Sequence, residues 1–101
     1  MNPRQVAYLA LLASLRGEGF ISHFLEQWQD QDHPSSLDFA FAYEIASGSV
    51  RMALSLDYIA AQLSDKRKLS LKLKERALLR TAIYQHYFMT KVPLYAIVNE
   101  T

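Results

Sequence analysis

The chain has 101 residues, half of them hydrophobic and 21% charged, with three glycines, three prolines and no cysteine. That length allows one domain with one core and leaves no room for a catalytic domain beside an accessory one. Without cysteine there is no disulfide framework, thiol nucleophile or Cys-based metal site, which fits a reducing, cytoplasmic setting.

The net charge of +1 conceals a division along the chain. Residues 1–50 carry two basic and six acidic side chains, residues 51–101 nine basic and four acidic, leaving −4 and +5. Between Lys66 and Lys91 eight cations face the single acid Glu75. A local field of that sign attracts phosphate whatever the overall balance, although a charge run also serves as a plain solvated face.

The first predicted helix starts at Pro3 with Asn2 as its cap and ends at Arg16-Gly17, with Val6, Leu9, Leu12 and Ala13 inward. The apolar run Val6–Leu15 resembles the core of a secretion signal. It is too short to span a bilayer, which needs about 20 residues, and no small-residue cleavage site follows it. A second helix is expected over Ile21–Gln29, capped by Ser22 or the glycine before it, with Ile21, Phe24, Leu25 and Trp28 as its buried stripe. Gln29–Ser36 reads as a polar loop.

The third helix runs from about Leu37 to Ala53, capped by Ser35 or Ser36, with Phe39, Ala42, Tyr43, Ala46 and Val50 on one stripe. Gly48 in its middle costs about 1 kcal/mol of helix propensity relative to alanine. Close packing of a neighbouring backbone is the usual compensation, so a helix crossing is expected there. Ser55 is read as the cap of a fourth helix, with Asp57 in its first turn and Leu56, Ile59, Ala60 and Leu63 inward. Ser64–Ser70 links it to a fifth.

On the fifth helix Leu78, Leu79, Ala82, Ile83, Tyr87 and Phe88 recur at the spacing of one apolar face, while Arg76, Arg80 and Tyr84 follow at i, i+4, i+8 on a flank. Arginines there suit phosphate oxygens and a tyrosine in line suits a stacked base. The competing reading buries Tyr84 and pairs Arg80 with a carboxylate. Val92-Pro93 closes the helix and opens a sixth, with only Leu94–Thr101 in which to run. The chain is therefore expected to stop inside or just before an element of a larger protein. No window alternates like a strand, so the fold class is all-α: a compact bundle of five helices and the start of a sixth.

Catalytic signatures are missing from the sequence. Gly17, Gly19 and Gly48 do not make a phosphate loop, and His23, His33 and His86 lie on different elements without a second ligand at helical spacing. His33 beside Asp30 and Asp32 reads as a solvated loop, and Glu44 and Asp57 have no evident partner.

Three stretches together, NPRQVAYLAL, AYEIASGSVRMALSLDYIAAQL and ERALLRTAIYQHYFMTKVPLYAIVNE, resemble the NusB-like family of RNA-binding helical domains. The nearer branch precedes the catalytic domain of 16S ribosomal RNA cytosine-5 methyltransferases. Asn2-Pro3-Arg4-Gln5, the SLDY run at Ser55–Tyr58 and Val92-Pro93 favour that branch over the free-standing antitermination factors, which usually carry an arginine-rich N-terminus and a YE pair in place of Tyr84-Gln85. The resemblance implies an RNA-docking module, residues 1–101, without activity of its own. In such enzymes the S-adenosylmethionine site and nucleophilic cysteine belong to the catalytic domain that follows, so no cofactor is expected in this chain.

The expected partners are RNA, 16S ribosomal RNA in particular, and the parent's own C-terminal catalytic domain. A homodimer through exposed apolar surface is a further possibility; a membrane is not expected. The expected RNA contacts are Arg4 and Gln5 at the start of the first helix and Arg76 and Arg80 on the fifth, forming one surface if the two helices adjoin. Arg51, Lys66, Arg67 and Lys68 are weaker contributors. An antitermination factor binding RNA and a ribosomal protein, and a helical domain that only packs against its catalytic partner, are the alternatives.

Overall fold

The computed structural model describes residues 1–63 and 71–89, and over these the chain forms five α-helices. They are α1 (Pro3–Leu15), α2 (Ile21–Asp32), α3 (Ser36–Arg51), α4 (Ala53–Leu63) and α5 (Leu73–Phe88). The all-α expectation holds. The expected sixth helix and the Ser64–Ser70 link lie outside the described residues.

The start and stop of α1 follow from its end residues. The Asn2 side chain accepts the Gln5 N–H at 2.8 Å while the Gln5 side chain accepts the Asn2 N–H at 3.2 Å, a reciprocal box over a proline first residue. At the far end the Glu18 N–H reaches the Ala13 carbonyl and the Gly17 N–H that of Ser14. Closing this pair of bonds requires a left-handed residue, and Gly17 supplies it at φ +74°.

Two boundaries differ from expectation. Helix α2 runs through Gln29 to Asp32, because polar side chains on a solvent face do not end a helix; Pro34 does, and His33 before it turns left-handed at φ 48°. Its N-cap is Phe20, with no side-chain hydrogen bond, rather than Ser22 or Gly19. Helix α4 begins at Ala53, which places Ser55 inside the helix and Asp57 beyond the first turn. Bonds from Met52 N–H to the Gly48 carbonyl and from Leu56 N–H to that of Met52 carry the helical pattern across the junction, so α4 needs no capping side chain.

Helix α1 sits at the centre of the packing, against α2, α3 and α5, and α4 leans on α5. Val6, Ala7, Ala10, Leu25, Trp28, Ala42, Ile45, Ala46, Leu56, Ala60, Ile83 and Tyr84 form the main core. Each fully buried Leu, Ile or Val contributes about 1.5–3 kcal/mol, before cancellation by chain entropy.

The buried face of α5 is rotated from the expected one. Ala77, Thr81, Ile83 and Tyr84 are buried, whereas Leu78 is 59% exposed and Ala82, Tyr87 and Phe88 are also exposed. On α3, Ile45 and Ser49 point inward while Tyr43 and Val50 point out. The two shifts have one cause. Gly48 is buried where α3 crosses α5, and a Cβ there would overlap the ring of Tyr84. The crossing expected from the lone glycine is present, and it admits a tyrosine ring rather than a bare backbone.

Candidate nucleic-acid interface

Helices α1 and α5 lie side by side and antiparallel in one continuous register. Arg4 Nε donates to Gln85 Oε1 at 2.6 Å, Leu12 clusters with Ala77, and Arg16 shares a cleft with Lys72–Glu75. Each step of four residues along α1 thus meets a step of four back along α5. The seam forms a shallow groove of about 320 Å³ lined by Arg4, Gln5, Tyr8, Leu78, Ala82 and Gln85. Arg4 is oriented from two sides, since its guanidinium also lies 5.4 Å from the centre of the Phe41 ring. Gln5 is exposed, although its side-chain oxygen serves the Asn2 cap.

Arg76 and Arg80 occupy the other flank of α5. They line a cavity of about 360 Å³ with Leu54, Asp57, Tyr58 and Leu79, between α4 and α5. Residues 76 and 80 stand nearly half a helical turn around from 78, 82 and 85. The adjacency of the two helices that the sequence argument required is present, but it does not bring these four residues onto one face.

Arg80 is held in a two-pronged pair with Asp57, Nε to Oδ1 at 2.9 Å and Nη2 to Oδ2 at 2.7 Å. The Arg80 hydrogen bonds, outweighing partial burial and aided by the charges of Arg80 and Arg76, hold the Asp57 carboxyl below its ordinary range. Asp57 therefore has the partner that the sequence did not disclose.

Tyr84 is only 3% exposed and does not offer its ring to a base. Its hydroxyl donates to Glu44 Oε1 at 2.5 Å and accepts from Arg51 Nη2 at 3.4 Å. Burial, reinforced by the Glu44 carboxylate, raises the phenol above its usual value. So Glu44 too has a partner, and Arg51, though exposed, is tied to a core side chain. Lys66, Arg67 and Lys68 lie outside the described residues.

Sequence reasoning passed over Tyr8, Arg16, Lys72, Lys74 and Gln85 as site residues. Lys72 and Lys74 belong to the basic run of the second half, but nothing local marks Tyr8, Arg16 or Gln85, and only the pairing of the first described helix with the last brings the five together. Among the described residues no group of His, Asp and Glu is arranged to hold a metal ion, and no helix is long and apolar enough to cross a membrane.

The sequence profile of the NusB family matches residues 1–101. The chain is also 34% identical over all 101 residues to ribosomal RNA small subunit methyltransferase B of Pseudomonas putida, and spans 22% of that relative's length. No solved structure matches it significantly. With a profile match along its full length and the all-α bundle on which that match is laid, the chain belongs to the NusB family.

Proposed function

We propose that this domain binds RNA on behalf of a 16S ribosomal RNA cytosine-5 methyltransferase, docking the substrate for a catalytic domain that holds S-adenosylmethionine. The observation that carries the reading is the likeness of the entire chain to part of a ribosomal RNA methyltransferase. The structure supports it with cations on two flanks of α5. Arg4 and Gln5 at the start of α1 are the foremost contacts, and Arg76 on the α4 side adds its charge from the other flank. Arg80 and Arg51, already engaged with Asp57 and Tyr84, add field more than direct bonds, and Lys66, Arg67 and Lys68 supplement them.

Because phosphate contacts release counterions, affinity for a single-stranded RNA falls with salt by a logarithmic slope of about 0.7 per contact. Titrating the purified chain against a labelled 16S ribosomal RNA fragment at several salt concentrations should give a steep slope. Absent or salt-independent binding would replace this reading with that of a domain that only packs against its catalytic partner.

A further inference from the structure

The register of α1 on α5 gives the seam two basic ends, and only one belongs to the contacts above. At the Arg4 end stand Arg4 and Gln85; at the other, Arg16 and the exposed Lys72 and Lys74 line a cleft with Leu73 and Glu75. None of those three cations forms an ion pair or side-chain hydrogen bond with another described residue. The one acid among them, Glu75, is turned back to accept the Lys72 N–H at 3.1 Å. The ends are twelve residues apart on α1, about 18 Å at 1.5 Å per residue. Between them the wall carries no charge: Gln5, Tyr8, Leu78, Ala82 and Gln85 line it, with Leu78 and Ala82 open to solvent.

We infer that a single-stranded RNA segment runs along the α1–α5 seam, with Arg16, Lys72 and Lys74 as a second phosphate-binding cluster at the end opposite Arg4. The inference rests on the reading of the chain as an RNA binder and adds the path and its far anchor. Cations separated by an uncharged, partly aromatic strip match an unpaired strand, whose phosphates recur along one edge while its bases need an apolar surface. A duplex presents phosphates on a broad convex surface and keeps its bases stacked inside, so it makes no use of the strip. The α4 flank of α5 lacks this arrangement, because Asp57 already occupies Arg80 there.

The test uses fluorescein-labelled oligouridylate and a hairpin duplex of equal charge, with anisotropy read across a salt series. Replacing Arg16, Lys72 and Lys74 together by Gln should leave the helical circular dichroism unchanged, since all three side chains are exposed. Affinity for the single strand should fall about tenfold or more at low salt, and the slope should become shallower by up to about 2, at 0.7 for each lost contact. Because the chain has no native cysteine, Lys74→Cys and Leu54→Cys each accept a single photo-crosslinker. Crosslinking to the strand is expected from position 74 and not from position 54.

Wild-type binding with an unaltered slope in the triple variant, or crosslinking from position 54 alone, overturns the seam path and leaves the RNA-binding reading standing. Preference for the hairpin overturns the path as well. No binding of either RNA by the wild type overturns both.

Discussion

Gly48 and Tyr84 show how one residue sets the face of another helix. A glycine in the middle of α3 gives up about 1 kcal/mol of propensity relative to alanine, and the returned benefit is space for the Tyr84 ring. That ring is fixed by a stack on Phe88 with centroids 5.5 Å apart and by its bond to Glu44, so it has little room to withdraw. Gly48→Ala should therefore destabilise despite its better propensity, because overpacking costs about 1–3 kcal/mol. Gly48→Leu should cost more, on the order of 2 kcal/mol or above. Urea unfolding midpoints measure both. Adding Tyr84→Leu to Gly48→Ala should recover part of the loss, and additive effects in that cycle would mean the two sites are not in contact.

Asp57 and Arg80 make a second residue-scale test, through pH. A carboxyl whose folded pKa is depressed contributes stability above its unfolded value, about 3.9, and loses it as pH falls through the lower folded value. Asp57→Asn should thus lower the unfolding midpoint at neutral pH. The gap to wild type should narrow only in acid, below about pH 4. A gap that stays constant into strong acid would show that Asp57 acts through packing rather than charge.

At the scale of the helix, what the sequence disclosed depended on whether the signal was local. Asn2-Pro3 and Gly17 act on their own backbone neighbours, and both ends of α1 were legible from them. Ser35 likewise, accepting the Asp38 N–H at 3.1 Å, marked the start of α3. The rotation of α5 was not legible, because Leu78, Leu79, Ala82, Ile83, Tyr84, Tyr87 and Phe88 wrap nearly all round it and periodicity cannot choose a face. Tertiary space chose, and of the two readings of this flank it realised the one with Tyr84 in the core and Arg80 paired with a carboxylate, not the base-stacking one. The candidate site shared that limit: the cations were visible in sequence, but their division between two flanks depended on the rotation. Helix α2 offers a prediction of its own, since it begins at Phe20 without a cap and with 83% of that residue exposed. Phe20→Asp should supply both a capping oxygen and a negative charge at the positive end of the helix dipole, raising stability by about 0.5–1.5 kcal/mol in thermal or urea unfolding. A neutral result would mean that the left-handed Gly19 before it holds the chain in a geometry that denies the cap.

Over the whole molecule the two oppositely charged halves of the sequence are folded together, because α1 leaves the acidic half to lie along α5. It takes Arg4 and Arg16, the only cations of residues 1–50, with it. Of the six acids there, Glu26, Asp30, Asp32 and Asp38 stay on α2 and the start of α3, Glu44 bonds Tyr84 from the middle of α3, and Glu18 follows the end of α1. Negative charge placed on the seam should then act against binding without harming the fold. Leu78→Glu, at an exposed position on a helix, should keep the unfolding midpoint close to wild type and weaken RNA affinity severalfold, as read by anisotropy beside a thermal melt. Retained affinity with a retained midpoint would place the RNA elsewhere on the molecule.

The partnership of α1 with α5 also sets a timetable for synthesis. The Arg4–Gln85 bond joins residues 81 positions apart, so the first described helix waits for the last before its second side is covered. Until then the side of α1 carrying Leu11 and Leu12, which cluster with Ala77 in the finished fold, has no α5 to close on. Helices form locally and early, but closing so long a loop slows the final assembly relative to a helical fold with only local contacts. Nascent chains arrested before Leu73 emerges should accordingly remain open to protease and to chaperones that bind apolar segments. Chains arrested after Phe88 has cleared the exit tunnel should become resistant in a single step.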